Sequence, residues 1–204
     1  MSDAERIVDL YERKAHDWAA DRRTQTRLFE QGWLDRFLSK APEGGTVLDI
    51  GCGFGWPIAA YLIAQGRSVT GVDSSPTMIE LCRRDFPEQD WRVADMRTLD
   101  LGRRFGGILA WDSFFHLDFD AQRRMFAIFA AHASPGAPLM FTSGPAHGEA
   151  IGELHGEPLY HASLAPEEYR ALLAANDFTV VDARMNDADC GGRSVWLARR
   201  AEDR

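Results

Sequence analysis

The strongest constraint on the fold is a hydrophobic period that changes repeatedly between residues 46 and 143. TVLDI, SVTGVD, DWRVAD, FGGILAWD and APLMFTS are short apolar runs with the length of buried strands. PIAAYLIAQG, SPTMIELCRRDF and DAQRRMFAIFAAHA carry the wider spacing of helices, the second with Pro76 in its first turn. Strands that alternate with helices lie parallel, because a parallel neighbour needs a crossover that returns the chain to the same end of the sheet. The expected architecture is therefore α/β, a parallel sheet with helices on both faces. Two helices precede it, one over Asp3 to Ala20 and one holding Leu28, Phe29, Trp33, Leu34, Phe37 and Leu38, which APEGG stops. A chain of 204 residues fits one domain, with residues 1–40 as a helical cap.

The tail departs from this alternation. GPAHGEAIGELHGEPLYHASLA follows Ser143, too long for an ordinary strand-to-helix turn, and is expected to be a functional loop, with 144–166 a substrate lid. A helix over PEEYRALLAAND follows, then FTVVDARM and RSVWLARR, separated by NDADCGG, as an antiparallel hairpin at the end of the sheet.

Within VLDIGCGFGWP the first strand runs into Gly51, Gly53 and Gly55, and Pro57 suits the first position of the next helix. Bare backbone at the carboxyl end of a parallel strand is where a nucleotide-like ligand approaches. Two ligand classes compete. The dinucleotide fingerprint requires glycine at position 56, where Trp56 stands, so a nicotinamide-dependent oxidoreductase is the weaker alternative. No Gly-Lys-Ser or Gly-Lys-Thr follows, so the P-loop is absent.

Taken together, VLDIGCGFG, VTGVDSSPTMIELC, WRVADM and FGGILAWDSFFHL resemble the class I S-adenosylmethionine-dependent methyltransferases of small-molecule type, over roughly Tyr11 to Met140. The resemblance implies a Rossmann-like three-layer sandwich whose seven strands run in the order 3-2-1-4-5-7-6 with the last antiparallel. It implies S-adenosyl-L-methionine as methyl donor and S-adenosyl-L-homocysteine as product. Asp49, Gly51, Gly53 and Phe54 then belong to the donor's glycine loop, and Asp73 to the ribose hydroxyls, with Ser74 beside it. The other reading of Asp73 is a helix N-cap, a task Ser74 could take instead. Asp95 and Met96 would read the adenine edge, and Met78 would cover its face or pack in the core. The family also implies that Trp111 and the N-terminal segment meet the methionine end, through Tyr11, Trp18 and Arg22. Tyr11 and Trp18 could instead simply pack their helix down. Arg22 or Arg23 would pair with the donor carboxylate through its fork.

An electrophilic methyl group needs an aligned acceptor, and a base only where the acceptor must lose a proton. His116 is the nearest histidine to the donor motifs, and Tyr160 and His161 in the insert are further candidates. Phe114, Phe115, Trp111, Trp18 and Tyr160 would give an aromatic acceptor pocket. His147, His155 and His161 have no regular ligand spacing, so no metal is expected. A net charge of −8 without a basic stripe argues against nucleic acid, and no apolar stretch approaches the length of a membrane span. Cys52, Cys82 and Cys190 are odd in number and scattered, and the first residues lack a signal-peptide core, so the expected setting is cytoplasmic. The acceptor is expected to be a small molecule, methylated on O, N or S, and the protein a monomer or homodimer. The competing function is a donor-binding regulatory or scaffold protein without transfer.

Overall fold

A computed structural model describes residues 3–25 and 27–203. Two helices, α1 (Asp3–Arg23) and α2 (Gln31–Leu38), lead into β1 (Val47–Ile50), α3 (Ile58–Ala64), β2 (Val69–Asp73), α4 (Pro76–Asp85) and β3 (Asp90–Val93). After β4 (Gly107–Ala110) come α5 (Phe119–His132), β5 (Pro138–Ser143), β6 (Gly148–Leu154), β7 (Glu157–Ser163), α6 (Pro166–Ala175), β8 (Phe178–Asp187) and β9 (Arg193–Arg200). The main sheet has seven strands in the order β3-β2-β1-β4-β5-β9-β8. Five pair in parallel, and β9 runs antiparallel to both β5 and β8. With β6 and β7 set aside, this is the expected order.

Side-chain alternation divides the core. Leu48, Ile50, Ile108, Ala110, Phe141 and Trp196 pack on one face against Phe126 and Phe129 of α5 and Tyr169 and Leu173 of α6. Val47, Leu109, Trp111, Met140 and Leu197 pack on the other, under Trp33 and Phe37 of α2, Ile58 and Leu62 of α3, and Ile79 of α4. The pleat that sends Val47 and Leu109 to this second face sends Asp49 there too.

Residues 144–166 are not an irregular loop. They hold an antiparallel hairpin in which β6 and β7 pair from Gly148↔Ser163 to Leu154↔Glu157. His155 and Gly156 turn it with φ of 51° and 80°, the pair of positive angles that a tight hairpin turn with the strands' own twist requires. Tyr160 and Ala162 of β7 then pack on Ile7 of α1. Two smaller expectations also shift: α1 runs on to Arg23, and Pro57 stands just before α3 rather than inside it.

Candidate active site

The carboxyl ends of β1, β2 and β4, with the 3₁₀ turn at Met96–Thr98, surround one cavity, and α1 lies across it. Gly51 has φ 74°, and a Cβ there would stand 2.3 Å from the Cβ of Ser113, whose hydroxyl donates to the Ile50 carbonyl at 2.8 Å. The ends of β1 and β4 can close on each other only because position 51 carries no side chain.

Asp73 braces the turn. Its Oδ2 accepts the Gly53 N–H and its Oδ1 the Ser75 N–H, each at 2.9 Å. Burial raises its pKa, and the N–H groups of Ser75 and Gly53 oppose that. The helix cap is neither Asp73 nor Ser74: the Ser75 hydroxyl accepts the Met78 N–H at 3.1 Å, and Pro76 opens α4. Ser74 lines the cavity instead. Asp95 also lines it, and its carboxylate takes Arg97 Nε and Nη2 at 2.9 and 2.6 Å, which holds its pKa below the usual range.

Asp49 lies deepest. It is 2% exposed, and its Oδ2 has no hydrogen-bond partner among the described residues. Burial, and then the charge of Asp73, push its pKa up to about 7. Trp111 Nε1 is the matching orphan, a buried donor without an acceptor, and both residues line the cavity. One unpaired acceptor and one unpaired donor in the same cavity suit a ligand that brings an N–H and an oxygen, as an amino-acid end does.

Tyr11, Trp18 and Arg22 of α1 face this cavity, together with Ala4, Ile7 and Val8. Glu12 fastens the helix. Its carboxylate takes the Ser75 hydroxyl, the Thr77 hydroxyl at 2.7 Å and the Thr77 N–H at 3.2 Å, at the positive end of α4. Burial works against the Glu12 charge, but these hydrogen bonds outweigh it and hold its pKa below the usual value. Arg13 forks onto both oxygens of Glu157 at 2.7 Å. Arg23 pairs with Asp85 outside the cavity, so of the two arginines Arg22 is the one facing in.

His116 also lines the cavity and is buried, and its protonation follows from its partners. Nδ1 lies 2.8 Å from the Tyr160 carbonyl, which only accepts, so Nδ1 carries the proton. Nε2, 3.0 Å from the Tyr11 hydroxyl, must then accept from it. That leaves the Tyr11 oxygen lone pairs free. Burial lowers the His116 pKa to about 3, so near neutrality its ring is uncharged. Burial, then the charges of Asp112 and Asp73, raise the Tyr11 pKa, which excludes a phenolate at ordinary pH.

Of the residues expected from sequence, Asp49, Gly51, Gly53, Phe54, Asp73, Ser74, Met78, Asp95, Met96, Trp111, Tyr11, Trp18, Arg22 and His116 all line the cavity. Met78 is also core, packed with Ala15, Ala19 and Phe54. Tyr160 and His161 do not line it: Tyr160 donates its hydroxyl to Glu149 at 2.6 Å, and the His161 ring rests on His116 and Phe115. Phe114 is core, edge-on to Phe126, Phe129 and Phe141. Sequence reasoning missed Asp112, although it sits inside the quoted AWDSFF, and it missed Glu30, Arg193 and Glu12. Among the described residues no group of three histidine, cysteine or acidic side chains could hold a metal, and no helix is long and apolar enough to cross a membrane.

Residues 47–136, which supply most of the cavity, match a family model described as a methyltransferase domain. A dTDP-4-amino-2,3,4,6-tetradeoxy-D-glucose N,N-dimethyltransferase of Saccharopolyspora spinosa is 28% identical over 62% of this chain and 48% of its own. A dTDP-3-amino-3,6-dideoxy-alpha-D-glucopyranose N,N-dimethyltransferase of Streptomyces fradiae is 32% identical over 47% of this chain and 38% of its own. The chain thus spans about half or less of the length of these two curated relatives. Magnesium protoporphyrin IX methyltransferase of Synechocystis shares the fold, with a TM-score of 0.75 at 16% identity over 98% of both chains.

Proposed function

We propose that this protein, whose residues 47–136 match a methyltransferase domain, is a class I S-adenosylmethionine-dependent enzyme that transfers a methyl group from S-adenosylmethionine to an amine nitrogen of a small, hydroxylated acceptor. The observation that carries the donor is the pair of orphans, Asp49 Oδ2 and Trp111 Nε1, beside the glycine turn and the Asp73 carboxylate. Asp49 would take the ammonium of the methionine end, while Trp111 Nε1 and Arg22 would take its carboxylate. Asp73 would accept from the ribose, and Asp95 would face the adenine. When bound, the donor supplies a methyl group on a sulfonium, open to in-line attack.

What the chain's own residues do is hold, orient and exclude water. Tyr11 donates to His116 and so offers only lone pairs to the cavity, a geometry suited to the N–H or O–H of an acceptor. His116, with its pKa near 3, is too weak a base to collect that proton near neutral pH and serves to fix the Tyr11 hydroxyl. Positioning then supplies most of the rate. The preference for nitrogen is drawn from the relatives named as amino-sugar N,N-dimethyltransferases. The test is incubation with S-adenosylmethionine and a panel of dTDP-linked amino sugars, read by mass spectrometry. The expected products are heavier by one and then two methyl groups. Tight binding of S-adenosylhomocysteine with every amine and hydroxyl acceptor silent would favour a donor-binding protein without transfer.

A further inference from the structure

A group of charges centred on Arg193 stands beside the cavity and reaches it through Asp112. Asp112 follows β4 with φ 45°, a left-handed conformation in which its N–H reaches the Thr142 hydroxyl at 2.8 Å. Its two oxygens lie 3.1 and 2.8 Å from Arg193 Nε, at the start of β9. Arg193 donates again through Nη1 to the Cys190 carbonyl at 3.2 Å, and its Nη2 lies 3.6 Å from Glu30. Glu30 is 1% exposed at the N-cap of α2, with Arg22 Nη2 at 3.5 Å on its other side. A carboxylate this deeply buried is maintained only by such cations. The Arg193 fork therefore has a fixed place, and Asp112 is fixed by it.

The carboxylate so held is not enclosed. The Asp112 side chain keeps 31% exposure and lines the cavity, and its charge acts on the Tyr11 hydroxyl and on His161. Held by a guanidinium, it is a well-placed hydrogen-bond acceptor. Tyr11 and Asp112 thus present hydrogen-bond acceptors from two different elements at one end of the cavity.

We propose that Asp112 orients the acceptor by taking an N–H or O–H of a small polyhydroxylated amine, and that Arg193 and Glu30 are positioning residues that hold its carboxylate. The assignment rests on the methyl-transfer reading above.

Wild-type protein and the Asp112→Asn and Arg193→Lys variants are saturated with S-adenosylhomocysteine and titrated calorimetrically with dTDP-3-amino-3,6-dideoxyglucose. Asparagine tolerates the left-handed backbone, so Asp112→Asn is expected to fold. It should weaken acceptor binding roughly ten- to hundredfold, the loss expected for a hydrogen bond to a charged group. Arg193→Lys keeps the charge but loses the fork, and should weaken acceptor binding about tenfold. Both should leave S-adenosylhomocysteine affinity within about twofold of wild type. Unchanged acceptor binding in both variants makes the cluster a structural ion pair and overturns the proposal. So does a matching loss of S-adenosylhomocysteine affinity, or no saturable acceptor binding by the wild type. Failure of the wild type to bind S-adenosylhomocysteine is a different result and overturns the methyl-transfer reading itself.

Discussion

Replacing Asp49 by Asn should make the ligand-free protein more stable at pH 8 relative to the parent than at pH 5, while weakening its hold on the donor. The carboxyl ionises near pH 7 in the folded chain and near 3.8 in an ordinary setting. Between those values the folded protein keeps a proton that the unfolded chain has released. Stability from this group is therefore full below pH 3.8 and falls as pH rises, by about 1.4 kcal/mol per unit, levelling off above pH 7. The total is on the order of 4 kcal/mol. Asparagine removes this dependence but sets an amide N–H where Oδ2 finds no partner, at a cost of about 1–3 kcal/mol. That cost is the same at each pH. The informative quantity is thus the change in the variant-minus-parent difference between pH 5 and pH 8, about 3 kcal/mol in favour of the variant at pH 8. Urea unfolding followed by tryptophan fluorescence at both pH values measures it, and calorimetry should find S-adenosylhomocysteine bound at least about tenfold more weakly. A difference that does not vary with pH would refute the reasoning, because it would mean that Asp49 is not forced to neutrality by burial.

Asp73→Ala removes the carboxylate that braces Gly53 and Ser75 and is assigned to the ribose, so calorimetry should show donor binding weaker by about 1–3 kcal/mol. Unchanged affinity would remove that assignment. His116 gives the opposite pH slope from Asp49: the unfolded chain takes its proton near 6.5 and the folded one only near 3, so stability falls as pH drops through that window. Relative to the parent, His116→Gln should therefore become progressively more stable on acidification below pH 6.5. In the same variant the pH profile of kcat/KM should keep its shape, whereas loss of a limb near 6.5 would mark His116 as a general base after all.

The sheet was legible because period 2 and period 3.6 alternate over a long, uninterrupted stretch, and because the glycine turn leaves few choices for what lies at the end of β1. The gathering of Asp49, Asp73 and Asp95 at one cavity was legible for the same reason: they stand at fixed distances from strand ends, so local pattern carries them to one place. The hairpin was not, because the His155–Gly156 turn is not one of the asparagine–glycine pairs that announce such turns, and β6 shows no clean apolar alternation. Phe114 was misjudged for a different reason. Two adjacent phenylalanines follow one strand, and only tertiary packing decides that Phe114 enters the core while Phe115 meets His161. Glu30, Asp112 and Arg193 come from three distant parts of the chain, and each reads locally as an ordinary surface charge. Their meeting is set by the antiparallel run of β9, whose start lies beside the carboxyl end of β5 next to β4, and by the seating of α2 on that face of the sheet, which no short window of sequence contains.

Among the described residues, four carboxylates, Asp49, Asp73, Asp95 and Asp112, line one cavity against two guanidiniums, Arg22 and Arg97. Their unequal treatment gives the site its direction. Asp73 accepts backbone N–H groups at both oxygens, Asp95 is held by Arg97 and Asp112 by Arg193, so each is an acceptor with its orientation fixed. Of the four, Asp49 alone has a buried oxygen with no donor, and burial carries its pKa up to about 7. A neutral ligand gives Asp49 nothing in return for its desolvation, whereas a cation brought beside it restores its charge. The cavity can therefore discriminate by charge through Asp49 and by hydrogen-bond geometry through Tyr11 and Asp112. On the proposed reading, a cationic donor beside Asp49 and a proton-bearing acceptor held by Tyr11 and Asp112 would share one cavity, as an in-line transfer between them requires.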